Sequence, residues 1–505
     1  MAQNIKDYYR PIYHITPPSG WMNDPNGLIQ FRGKYHVFYQ HYPCVPEDGP
    51  KHWGHVISDD LVHWKHLPIA LTPDTDYEKG CWSGSAVNNH DELTLIYTAH
   101  DENRKPKQVQ CIAFSGDGVN FTKYEKNPVI SGPPEGFGED FRDPKVFRYG
   151  EWWYMVVGCT KKSEGGILLY GSQDLRVWDC FGRICQSNGK QGTMWECPDL
   201  FELEETWVLL CSPMNMEGSK CIFISGTIDL QSCEKKSLLN LFGNLSLETN
   251  LVKDTAILQP ADQKFVGEKL QDRFDNQPGC QTCLFVQKDW QDVDYGLDFY
   301  APQTFMDDKG RRILIGWMDM WNSEHITRKD GWIGVLTFPR ELYRENGMIR
   351  QRPVEEISLL RKKCFWNGSI SLKSGQKGNL KAISGESMEF VFTVPGTAKG
   401  YLNLCLRASE NRQEKTLLVY DFASHTFIVD KRQSGVGKPD YREIAIGADE
   451  KITVHILMDK SSIEYFLSGR AVSCRIYPDP SSVFCDISID GDDVLIPDLR
   501  IYELG

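Results

Sequence analysis

Apolar residues along this chain come in short bursts rather than helical waves. Tyr35-His36-Val37-Phe38-Tyr39, Leu93-Thr94-Leu95-Ile96-Tyr97, Trp153-Tyr154-Met155-Val156-Val157, Trp207-Val208-Leu209-Leu210 and Arg312-Ile313-Leu314-Ile315-Gly316-Trp317 all read as strands. Turn-forming residues precede them, such as Arg32-Gly33-Lys34, Asn89-His90-Asp91 and Asp308-Lys309-Gly310, so each is the return arm of a hairpin. The bursts begin at 35, 93, 153, 207 and 312. Five units are thus expected, with about fifty extra residues, roughly 220–290, between the fourth and fifth.

A second series has the same period. Ser58-Asp59-Asp60-Leu61-Val62-His63-Trp64, Ser115-Gly116-Asp117-Gly118-Val119-Asn120-Phe121 and Ser172-Gln173-Asp174-Leu175-Arg176-Val177-Trp178 start 57 residues apart. Units of this length, made of short antiparallel strands, predict an all-β fold: a five-bladed β-propeller ringing a central channel. After the stretch Arg344 to Pro353 the repeat stops. Alternating strands such as Lys451-Ile452-Thr453-Val454-His455-Ile456 and Ser462-Ile463-Glu464-Tyr465-Phe466 take over. The expected domains are therefore a propeller over 1–348 and a C-terminal β-sandwich over 349–505.

Composition narrows the function. With 41% hydrophobic and 25% charged residues in 505, the chain can build a sizeable core. Its 56 Lys+Arg against 69 Asp+Glu give a net charge of −13, the wrong sign for a nucleic-acid partner. No stretch nears the roughly 20 apolar residues that span a bilayer, and Met1 to Tyr9 has no apolar leader core. No membrane association is expected, and a cytoplasmic location, unless a leader was removed. The 16 cysteines, several inside apolar runs (Cys111, Cys159, Cys211, Cys405, Cys485), read as buried thiols in a reducing compartment. The sequons at Asn120, Asn244 and Asn367 carry no weight beside this.

The outgoing arms carry the chemistry. They read Trp21-Met22-Asn23-Asp24-Pro25-Asn26-Gly27, Cys81-Trp82-Ser83-Gly84-Ser85, Phe141-Arg142-Asp143-Pro144, Met194-Trp195-Glu196-Cys197-Pro198-Asp199 and Asp298-Phe299-Tyr300-Ala301-Pro302-Gln303. Asp24, Asp143 and Glu196 lie 10 or 11 residues before their return strands, one register in three units. Inner strands of a propeller converge on one mouth of the channel. Singly, Asp-Pro and Asn-Asp-Pro-Asn-Gly are turn chemistry; three acids focused on one point are a site. With Trp21, Trp82, Trp195 and Tyr300 nearby, and polar groups from Asn23, Ser83 and Gln303, the composition is that of a glycoside hydrolase pocket.

At these residues the chain resembles glycoside hydrolase family 32, the invertases, sucrose-6-phosphate hydrolases and fructanases. Phe38-Tyr39-Gln40, Trp53-Gly54-His55 and, in the sandwich, Met458-Asp459-Lys460-Ser461-Ser462-Ile463-Glu464-Tyr465-Phe466 extend the match over almost the whole sequence. The resemblance implies a retaining β-fructofuranosidase acting on terminal β-D-fructofuranosyl units of sucrose or short fructo-oligosaccharides, without metal or cofactor. It implies Asp24 as nucleophile, Glu196 as general acid and base, and Asp143 as the group that binds fructose hydroxyls. Asn23, Gln40, Trp82, Ser83, Arg142 and Trp317 match family positions lining the fructose subsite, and Tyr300 joins them as a substrate contact.

Two departures bear on the leaving group. Where many family members have a Trp eight residues after the glutamine, this chain has Asp48, a candidate substrate contact. Beside it, Lys51, His52 and His55 could receive a phosphorylated glucose, but a solvated loop is the expectation. The extra segment, with Cys280-Gln281-Thr282-Cys283, is a candidate rim or self-association element giving a homo-oligomer; one Cys-X-X-Cys is read as inert. His36, His41, His52, His55, His63 and His66 have no metal-like spacing, so packing and surface roles are expected; Asp459 and Glu464 are expected to be structural. Other readings are a sucrose-6-phosphate hydrolase, a fructosyltransferase, an inverting pentosidase, or a non-catalytic sugar-binding relative, which would lack one of the acids.

Overall fold

Turn chemistry builds the repeat. In the computed structural model, which describes residues 7–231, 285–376 and 383–505, the 57-residue motif is one Asx turn used three times. Asp60 Oδ1 accepts the backbone N–H groups of Val62 and His63, Asp117 Oδ1 those of Val119 and Asn120, and Asp174 Oδ1 those of Arg176 and Val177. The residue after each Asp has positive φ: Leu61 66°, Gly118 74° and Leu175 65°. Hairpins use a second device. Arg32 and Gly33, His90 and Asp91, Glu204 and Glu205, and Asn346 and Gly347 all have φ > 0, as two-residue primed turns demand.

The described residues of 20–353 form five sheets. The first strand of each is labelled here: β1 (Gly20–Phe31), β2 (Gly80–Asn89), β3 (Phe141–Tyr149), β4 (Met194–Leu203) and β5 (Tyr300–Met306). Each packs against the next, and β5 returns to β1. The two-residue strand Trp332–Ile333 seals the circuit by pairing in parallel with Gly20 and Trp21. The five return arms read from the sequence lie within strands Lys34–Tyr42, Glu92–His100, Trp152–Lys161, Thr206–Met214 and Arg312–Trp317.

The extra segment falls elsewhere than expected. Strand Ile222–Thr227 pairs with Val286–Asp292, so residues 228–285 connect the third and fourth strands of the fourth sheet instead of separating two units. Only pairing between strands some sixty residues apart reveals this. Cys280, Cys283 and the Asn244 sequon lie outside the described residues.

Beyond residue 360, a six-stranded and a five-stranded antiparallel sheet face each other. Their alternating inward residues, among them Phe390, Phe392, Leu402, Leu404, Val454 and Ile456, form one core. Leu457, Phe466 and Ala471 of this region pack with Tyr13, Phe338 and Val354, fusing it to the five-sheet region. A buried ion cluster lies at the same junction. His14 contacts Asp459 and Glu464, each at 2.9 Å, and Arg340 reaches Asp294 at 2.8 Å and also Glu464. Asp459 and Glu464 are structural, as expected.

Candidate active site

Every inner strand breaks register at its chemically interesting residues. The ladder slips between Met22 and Pro25 in β1, Trp82 and Gly84 in β2, Glu196 and Asp199 in β4, and Tyr300 and Gln303 in β5; β3 slips opposite Val156–Gly158. Such bulges re-aim side chains. Asp143, Cys197 and Ala301 have φ of 65°, 46° and 49° at these points, conformations held against local preference by their surroundings. Gly84 is required because a Cβ there would meet the Ile96 carbonyl at 2.0 Å.

The three carboxylates are wired differently. Asp24 accepts Asn23 Nδ2 at 2.9 Å on Oδ1 and Ser83 Oγ at 2.6 Å on Oδ2. Glu196 Oε1 accepts Arg142 Nε at 3.1 Å and Nη2 at 3.0 Å, and its Oε2 accepts the Tyr300 hydroxyl at 2.6 Å. Asp143 is buried, and its Oδ2 accepts the Cys197 N–H at 2.9 Å. Burial drives its carboxyl up to about 7; Arg142 pulls against this, while Glu196 and Asp24 push the same way. The Cys197 thiol lies 3.6 Å from Asp24 Oδ2 and 3.7 Å from Asp143 Oδ2. Burial and the surrounding carboxylates keep it protonated, so it touches two acids without adding charge.

Arg142 organises the group. Burial opposes its charge, yet Glu196, Asp143 and Asp140 hold its pKa above the usual guanidinium value, and Asp140 accepts its Nη1 at 2.7 Å. The open pocket, about 730 Å³, is lined by Trp82, Arg142, Glu196 and Tyr300. Trp82 is braced by His100, stacked at 3.8 Å and 14°. Gln40 is buried and donates to the Cys81 carbonyl at 3.1 Å, tying the return strand Lys34–Tyr42 to β2, and Gln303 donates to the Gly84 carbonyl at 3.0 Å, tying β5 to β2. Trp317 is fully buried behind Trp21 and Trp321, with ring centroids at 6.0 and 5.1 Å.

The leaving-group side departs from the solvated-loop expectation. Asp48 is mostly exposed but ion-paired with Lys51, which is buried and lies over the Trp21 and Trp321 rings at 5.2 and 5.9 Å. Burial lowers the Lys51 ammonium to about 8, against the pull of Asp24. His55 is also buried, stacked on Phe38 at 4.0 Å and 3.0 Å from His36 Nδ1. Sequence reasoning passed over Trp321, which lines the pocket and stacks on Trp21 at 5.8 Å. It lies in the loop after Arg312–Trp317, with no counterpart in the other repeats to single it out. Among the described residues no group of three His, Cys, Asp or Glu could hold a metal ion, and no helix is long and apolar enough to cross a membrane.

An all-β ring with three carboxylates clustered about Cys197 and Arg142, one of them lining a sugar-sized pocket, is the site of a glycoside hydrolase. The model of the glycosyl hydrolases family 32 N-terminal domain matches residues 14–353, and that of the family 32 C terminal matches 356–503. The chain belongs to glycoside hydrolase family 32. It is similar to a raffinose invertase of Escherichia coli (35% identity, covering 98% of this chain and 95% of that protein) and to a sucrose-6-phosphate hydrolase of the same organism (36%, 94% and 90%). Among solved structures it is similar to a Bombyx mori GH32 β-fructofuranosidase (33% identity, TM-score 0.78, covering 98% and 94%). A fructan 1-exohydrolase IIa of Cichorium intybus is similar too (26%, 0.79, 99% and 98%).

Proposed function

We propose that this chain is a retaining β-fructofuranosidase that releases terminal fructose from sucrose or short fructo-oligosaccharides. Asp24 is the nucleophile on the anomeric carbon. Its two oxygens already accept Asn23 and Ser83, which fixes the carboxylate's orientation without covering it. Glu196 is the acid and then the base, held by Arg142 on one oxygen and Tyr300 on the other. Asp143, buried between them, binds fructose hydroxyls. The observation that carries this reading is the unequal wiring of three clustered carboxylates: environments that differ this much divide acid, nucleophile and binding roles.

The wider architecture proposed is a five-bladed propeller over 1–348 with a sandwich over 349–505, each of the five sheets being one blade. The closed circuit of inner strands and the spans of the two family matches support it. The buried thiols of Cys111, Cys159, Cys211 and Cys485 suit a reducing cytoplasm. The substrate is a small neutral sugar. A mutant of the Bombyx mori protein is described in complex with sucrose. Away from Asp24 the pocket wall carries Glu102, Glu139 and Asp140, with Lys107 paired to the first two at 3.0 and 3.5 Å. With Glu196 the lining holds four carboxylates against Lys107, Arg142 and Lys220, and this net acidity disfavours a phosphorylated leaving sugar.

Product analysis with sucrose and sucrose 6-phosphate side by side tests the reading. Equal glucose and fructose, faster release from unphosphorylated sucrose, and none with Asp24→Ala are expected. Preference for the phosphorylated sugar would move the assignment to a sucrose-6-phosphate hydrolase; glucose in excess with a trisaccharide appearing would mean transfer. Silence on both would remove the proposal.

A further inference from the structure

The two regions of the chain meet around a second cavity, of about 180 Å³. One wall comes from the ring of sheets: Lys220, Asp298, Asp319, Met320 and residues 322–325 after the strand Arg312–Trp317, with Lys220 and Met320 also lining the catalytic pocket. The opposite wall comes from the sandwich: Lys431, residues 434–438, and Arg475 at the end of the strand Arg470–Arg475. The proposed hydrolysis uses none of the sandwich residues.

The charges here do not cancel locally. Asp298 Oδ2 accepts Lys431 Nζ at 2.9 Å and the Arg475 N–H at 2.8 Å. Asp319 faces His325 Nδ1 at 3.5 Å and Arg475 Nη1 at 3.7 Å, both beyond a good hydrogen bond. Glu324 is exposed at the rim. Against these stand four cations, Lys220, Lys431, Lys438 and Arg475. Lys220 donates to the Leu297 carbonyl, and burial lowers its pKa against the pull of Asp298.

Arg475 is the telling residue. It is 3% exposed and its Nε donates to the Ser461 carbonyl at 2.9 Å, but its Nη1 has no hydrogen-bond partner among the described residues. His325 Nδ1, on the opposite wall, is likewise buried without one. A buried donor left unmade is costly, and a planar guanidinium edge flanked by ammonium groups matches an oxyanion. The volume holds a phosphate and a few waters, at roughly 30 Å³ per water.

We infer that this cavity between the ring of sheets and the sandwich is a binding site for a small phosphate-class oxyanion, contacted by Arg475, Lys220 and Lys438. Its occupancy is felt at the catalytic pocket through the loop 319–325. His325 packs edge-on against Trp21 at 5.2 Å; Trp21 Nε1 donates to Asn23 Oδ1 at 2.7 Å; and Asn23 donates to Asp24. Trp321, on the same loop, lines the catalytic pocket. An anion that competes with Asp319 for Arg475 leaves that carboxylate to His325, which faces the same oxygen, and so changes the aromatic wall beside the nucleophile.

Calorimetric titration of the full chain with inorganic phosphate, and separately with a hexose monophosphate, tests this at constant ionic strength against chloride. Saturable binding is expected, surviving saturating fructose, with affinity about tenfold weaker in Arg475→Lys and in Lys438→Gln. Should Arg475→Lys fail to fold, the surface substitution Lys438→Gln carries the comparison. Equal affinity for the two probes identifies the free anion, and tighter hexose monophosphate binding identifies an ester. Phosphate should also shift the KM for sucrose, with about tenfold more phosphate needed for the same shift in Lys438→Gln. No saturable binding by either probe, displacement by fructose, or unchanged affinity in Lys438→Gln would overturn the site; an unmoved KM would overturn the coupling.

Discussion

The Ser83 hydroxyl donates to Asp24 Oδ2 at 2.6 Å, joining side chains 59 positions apart in the sequence and on neighbouring inner strands. β1 and β2 both bulge at these residues, which re-aims the two side chains toward each other. A charge-assisted hydrogen bond of this kind is worth about 1.5–3 kcal/mol. Ser83→Ala should lower kcat/KM between about ten- and a hundredfold with an unchanged melting temperature. Steady-state kinetics beside a thermal melt checks it; full activity would show that Asn23 alone orients the nucleophile.

Asp143 gives a prediction about pH. Its carboxyl stands at about 7 in the folded chain against an ordinary 3.8, so the folded state holds a proton that the unfolded state releases between those values. Stability contributed by this group falls as pH rises through that window, and the penalty is complete above about 7. Asp143→Asn removes the penalty and keeps an acceptor for the Cys197 N–H. The variant should melt above the parent at pH 8, the gap closing toward pH 4, while activity collapses. A gap of equal size at both pH values would contradict the burial argument.

The junction with the sandwich titrates in the opposite sense. Burial works against a charged His14, but its bonds to Asp459 and Glu464 raise it from 6.5 to about 8. Its stabilisation is fully present below 6.5 and is lost as pH rises through about 8, amounting to about 2 kcal/mol. His14→Gln should therefore lower the melting temperature markedly at pH 6 and little at pH 9. Equal losses would mean that His14 acts by packing alone.

Much of this site was legible because the repeat placed it. Asp24, Asp143 and Glu196 share a register, and a repeat of hairpins turns shared register into shared location. The Ser-X-Asp motif was equally readable, since an Asx turn is local. What escaped depends on contacts between distant segments. Lys51 reads as a loop lysine until the Trp21 and Trp321 rings close over it. Trp321 lies in a loop that no other unit repeats. The segment before Val286 read as a break between units because its pairing with Ile222–Thr227 spans too much chain for any local pattern to show. The bulges themselves leave no sequence signal beyond Pro25, Gly84, Pro144, Pro198 and Pro302.

The central claim is a covalent fructosyl intermediate on Asp24. In Glu196→Gln, an activated aryl β-fructofuranoside needs no acid to leave, and the glutamine cannot deprotonate the water that would release the sugar. Rapid quenching followed by peptide mass spectrometry should find one anhydrofructosyl unit on the peptide containing Asp24, absent when Asp24→Ala is added. Turnover of the aryl substrate with no adduct at any time, or an adduct on a peptide without Asp24, would contradict the account.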